Sequence, residues 1–137
     1  MRSSGSGKGT LVSWSVMAVL ILVEDLLFCS RIEAAAAHLA VPVIAVGEPT
    51  KALRLGPETS WEMALVDLDA QPEAALHAIR HLRERSPKQP IVGFCSHVDV
   101  DLQQRGREAG CSLVLPRSAF AQSLPALLHQ AAQEARG

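Results

Sequence analysis

The side chains best placed to do chemistry are four carboxylates at the ends of two apolar runs. Val19-Leu20-Ile21-Leu22-Val23 leads into Glu24-Asp25, and Met63-Ala64-Leu65-Val66 leads into Asp67-Leu68-Asp69. Runs of that length, rich in Val, Ile and Leu and bounded by turn-type residues, read as buried strands. In an open parallel sheet the carboxyl ends of the strands share one edge, and ligands bind there. If the two runs are neighbouring strands, up to four carboxylates converge on that edge. Such a cluster repels itself unless a cation or a basic side chain stands among it.

The elements that must position these acids alternate along the chain. The first strand covers roughly 17–23, and a helix follows from about Leu26 to Leu39, with Asp25 able to cap its free N–H groups. A second strand, Val41–Val46, stops at Gly47, and Thr50–Leu55 suits a short helix ended by Gly56-Pro57. The third strand is Glu62–Asp67, and Pro72 opens a helix to Glu84 with Leu76, Ile79 and Leu82 on one face. Pro90–Phe94 is the fourth strand, followed by a helix over Val98–Ala109 that Gly110 terminates. A short fifth strand, Ser112–Leu115, precedes a last helix, Ala119–Ala135, in which Pro125 is tolerable only near the start. Five β–α pairs with right-handed crossovers predict an α/β fold with a doubly wound parallel sheet, helices covering both faces in three layers. Residues 1–15 form a polar, Gly/Ser-rich tail or an expression extension, and 16–137 a single domain.

Taken in order, the strand ends resemble the receiver domain of two-component response regulators, the flavodoxin-like fold with strand order 2-1-3-4-5. The resemblance covers 17 to about 132. Glu24-Asp25 falls where receivers carry an acidic pair, and Asp67 where they carry the phosphoacceptor. Pro90-Ile91-Val92-Gly93-Phe94-Cys95 matches the strand that ends in Thr or Ser. Gly110-Cys111-Ser112-Leu113-Val114-Leu115-Pro116-Arg117 matches the Gly-Ala-x, apolar strand and Lys-Pro pattern. The resemblance implies Mg²⁺ held by Glu24, Asp25, Asp67 and the backbone carbonyl of Asp69, oxygen donors of the kind magnesium prefers. It also implies phosphoryl transfer to Asp67, in which metal and positioning do most of the work.

Three positions depart from the family pattern. Cys95 stands for the Thr/Ser hydroxyl and is a weak donor. Arg117 stands for the Lys, and its planar guanidinium can lock bidentately onto Asp67 and fill the pocket in place of Mg²⁺. Val114 stands for the aromatic that swings on phosphorylation. The chain therefore resembles an atypical receiver, a pseudo-receiver acting through a sensor kinase or a downstream signalling protein. The resemblance places the output face, and a possible homodimer contact, over the fourth helix, fifth strand and fifth helix.

Other classes fit less well. Asp67-Leu68-Asp69 is also similar to the Asp-x-Asp loop of haloacid-dehalogenase-type phosphatases, which makes a small phosphatase the alternative, with Gln71 off its pattern. A flavin carrier would need a phosphate loop where the acidic Glu24-Asp25-Leu26-Leu27 stands. Gly5-Ser6-Gly7-Lys8-Gly9-Thr10 imitates a phosphate loop but has no strand before it and no earlier Gly. His77 and His81, at i and i+4, find no third metal ligand. Cys29, Cys95 and Cys111 form no C-x-x-C pair and read as buried thiols of a reducing cytosol, with carboxylates near Cys95 raising its pKa. The net charge of −1 and the absence of a like-charge block point away from nucleic acid and anionic membrane. Leu11–Val23 is too short to span a bilayer, and the expected location is cytoplasmic.

Overall fold

The computed structural model describes residues 18–56, 58–95 and 99–136, and the side chains up to residue 133. The tail, the phosphate-loop imitation, Met17, Pro57 and the 96–98 segment lie outside the described residues.

The strands are β1 (Val19–Leu22), β2 (Val43–Ala45), β3 (Met63–Asp67), β4 (Ile91–Cys95) and β5 (Leu113–Pro116). They form one parallel sheet in the order β2-β1-β3-β4-β5, the 2-1-3-4-5 arrangement expected. The helices are α1 (Leu26–His38), α2 (Pro72–Arg85), α3 (Val100–Ala109) and α4 (Arg117–Arg136). The three inner strands are buried along their whole length, as a sheet covered on both faces requires.

Alternation along the strands divides the core in two. Val19, Ile21, Met63, Leu65, Val92 and Phe94 face α1 and α4. Leu20, Leu22, Ala64, Val66, Ile91 and Cys95 face α2 and α3. By the same alternation Asp67 points toward the α1/α4 side. No helix among the described residues is long and apolar enough to cross a membrane.

Several expected boundaries are corrected. Strand β2 is shorter than Val41–Val46 because Pro42 has no N–H to pair, although its carbonyl accepts from Val19 N at 2.9 Å. The short helix expected over Thr50–Leu55 is a 3-10 helix, Pro49–Arg54, closed by i to i+3 bonds from Lys51 N to Glu48 O and Leu55 N to Ala52 O. Helix α3 starts at Val100 because the Asp99 side chain accepts from Leu102 N at 3.0 Å and caps it. Helix α4 starts at Arg117, directly after β5, rather than at Ala119, so Pro125 lies in its interior instead of near its start. The earlier start matters because Arg117 becomes a helix-terminal residue at the sheet rim.

Candidate functional site

The register brings the chemistry to the C-terminal edge. Leu22 pairs with Val66, Asp67 with Phe94, and Cys95 with Pro116, so the residues that follow all emerge on one rim. Asp67 is the one buried charged side chain among the described residues, 4% exposed. Both of its oxygens are engaged. Oδ1 accepts from Asp69 N at 2.8 Å, and Oδ2 accepts from Arg117 Nη2 at 3.2 Å. The same Nη2 stands 3.9 Å from Asp69 Oδ2.

Arg117 is held by aromatic faces as well as by charge. Its Cζ lies 4.7 Å from the Phe28 ring centroid and 5.1 Å from that of Phe94. Phe94 in turn stacks on Phe120 at 4.3 Å, tying the cation to the α1/α4 core. The expected bidentate grip on Asp67 is not what forms: one nitrogen is shared between two carboxylates. A guanidinium rising from the first residue of α4 meets the acids with one arm while its plane rests on the rings.

The acidic pair is partnered separately. Asp25 Oδ1 accepts from Phe28 N at 3.1 Å and caps α1. Glu24 Oε2 accepts from Gln71 Nε2, a contact spanning the loops after β1 and β3. Among the described residues no three His, Cys, Asp or Glu side chains are grouped so as to hold a metal ion, His77 and His81 included. As arranged, the Arg117 guanidinium supplies the positive charge beside Asp67 and Asp69, while Glu24 Oε2 and Asp25 Oδ1 accept from Gln71 and Phe28.

Cys95 is fully buried in the α2/α3 half of the core, on the opposite face of the strand from Phe94. Burial pushes its thiol up, and the charges of Asp69, Asp99 and Asp67 add to this against one backbone hydrogen bond at Asp99. The thiol is thus neutral and non-nucleophilic. Val114 is buried in the same half-core. All three cysteines are free and buried.

No family model and no curated protein matches the sequence. Solved structures do. A response regulator from Thermotoga maritima has 20% identity and a TM-score of 0.68, over 85% of this chain and 97% of its own. A response regulator receiver domain protein from Methanospirillum hungatei JF-1 has 11% identity and a TM-score of 0.74, over 87% and 95%. The fold is that of a receiver domain. A third neighbour, a response regulator from Burkholderia pseudomallei with a phosphorylated aspartic acid and a calcium ion, has 19% identity and a TM-score of 0.71 over 87% of this chain and 70% of its own.

The receiver fold brings Asp67, Asp69 and Arg117 into contact, and places Glu24 and Asp25 on the same rim with partners of their own. Sequence reasoning missed Gln71 as the partner of Glu24, and the rings of Phe28 and Phe94 beneath Arg117. Phe28 carried a faint signal, since it lies three residues past the capping Asp25. Gln71 carried none beyond preceding Pro72.

Proposed function

We propose that this chain is a receiver-like signalling domain that acts through contact with other proteins, with Asp67 as its phosphoacceptor. The carrying observation is the buried Asp67 carboxylate at the β3 terminus, bonded through Oδ2 to Arg117. A phosphoryl group on Asp67 would bring dianionic charge to a place where a guanidinium already stands, and charge-assisted bonds to phosphate suit arginine. The aspartyl phosphate of the Burkholderia pseudomallei neighbour supports the same chemistry for this fold.

The domain is atypical at three positions. Cys95 offers no exposed hydroxyl to the phosphoryl oxygens, Val114 has no ring to swing, and Arg117 supplies the counter-charge that Mg²⁺ would share. Glu24, Asp25, Asp67 and the Asp69 carbonyl could take Mg²⁺ only after Gln71 and Arg117 release their carboxylates. The expected partners are a sensor kinase or a downstream signalling protein in the cytoplasm, with no nucleic acid contacted by this chain. Val100 and Leu113, both exposed, lie on the α3–β5–α4 side that would serve as output face or homodimer contact.

The test is intact-mass measurement after incubation with Mg²⁺ and acetyl phosphate. A gain of one phosphoryl group, absent from Asp67→Asn, is the expected result. No gain in the wild type removes Asp67 as acceptor.

A further inference from the structure

Two arginines on different helices face one aromatic ring. The Cζ of Arg31, on α1, lies 5.7 Å from the Phe28 centroid, and the Cζ of Arg117, at the start of α4, lies 4.7 Å from it. Between the helices is an open cleft of about 550 Å³. Leu27, Phe28 and Ala121 supply its apolar lining, and Arg31, Arg117 and Ser118 its donors. Leu27, 81% exposed like Leu26 beside it, presents apolar surface next to the charged rim.

The donor inventory is unbalanced. Only Nη2 of Arg117 bonds to carboxylate, and its Nε and Nη1 find no acceptor among the described residues. Among the described residues Arg31 makes only its contact with the ring. A guanidinium presents five N–H donors in a fixed fork that matches a carboxylate or phosphate. Asp25 also lines the cleft, but it is committed to capping α1, where the helix terminus offsets its charge.

We propose that this cleft binds a small anion with an apolar body, a carboxylate of medium chain length being the simplest case. Its head group bonds to Arg31 and to Nε and Nη1 of Arg117, and its body covers Leu27, Phe28 and Ala121. The site does not depend on Asp67 being phosphorylated, because Nη2 stays on the acids while Nε and Nη1 bind. Through Arg117 the ligand would nonetheless be linked to the Asp67 pocket.

Titration of the ¹⁵N-labelled protein with hexanoate, followed by amide and arginine Nε resonances, tests this. Saturable shifts are expected at 25–31 and 117–121 and at Arg117 Nε, with hexanol and inorganic phosphate each binding more weakly. Arg31→Ala should weaken hexanoate about tenfold or more, the loss of a charge-assisted bond, whereas Arg80→Ala, an exposed arginine on α2, should leave it unchanged. Non-saturating shifts, equal binding of hexanol, or unaltered affinity in Arg31→Ala would each overturn the proposal.

Discussion

Asp67 is a carboxylate with almost no water, and its tolerance depends on Arg117 Nη2 and Asp69 N. Arg117→Ala leaves a buried charge with one partner fewer, and should cost about 2–3 kcal/mol of stability by urea denaturation. In an Asp67→Asn background the same change should cost clearly less, because no uncompensated charge remains. Cys111 gives a second measurement at this scale. Burial pushes its thiol up from an ordinary value of 9.0 to about 12, against the opposing pull of Arg83, a backbone bond at Gly93, and Arg107. The folded state therefore holds a proton that the unfolded chain releases above pH 9. Stability from this group is complete below about pH 9 and falls as pH rises toward 12, by about 1.4 kcal/mol per pH unit. A Cys111→Ala variant should show a flatter decline in alkaline unfolding curves.

The connection between α3 and β5 shows how one residue type permits an element boundary. Gly110 has φ +136, and its N–H bonds to the carbonyls of Gly106 and Arg107, ending α3. A Cβ there would meet Arg83 Cβ at 2.9 Å. Arg83 cannot move aside cheaply, since its guanidinium donates to the carbonyls of Gly110, Ser86 and Gln89 and so ties α2, the entry to β4 and the entry to β5 together. Gly110→Ala should therefore destabilise by about 2–3 kcal/mol in thermal or urea unfolding, from backbone strain and the forced displacement together. Gly47, with φ +81 and nothing within reach of an added Cβ, would pay only the backbone part.

Across the whole molecule the sheet is the single partition between two apolar half-cores. The inner strands contribute to both, so neither half-core can be lost without exposing the other face of the same strands. Unfolding should be one cooperative transition. Trp61 fluorescence in a Trp14→Phe variant reports on the α2/α3 half, where Trp61 is buried. Its denaturation curve should coincide with that of far-UV circular dichroism, and a separation between the two would mean the half-cores melt independently. The same architecture explains why the acids meet at one rim, since parallel strands of similar length end together.

The order of elements and the acids at strand ends were legible in the chain itself, because run length, alternation and turn residues are local properties, whereas the 2-1-3-4-5 order was expected only through the resemblance to receivers. So was the capping of α1 by Asp25, a contact of three residues. Other features required the folded molecule. The meeting of Arg117 with Asp67, expected only through the family's Lys position and then as a bidentate pair, spans 50 positions, and that of Gln71 with Glu24, which was not expected, spans 47. Which nitrogen binds, which ring lies beneath it, and which donors stay open to the cleft depend on strand register and on α4 beginning two residues early. Side chains that distant in sequence meet only through packing of the sheet and its helices, and no local pattern encodes that distance.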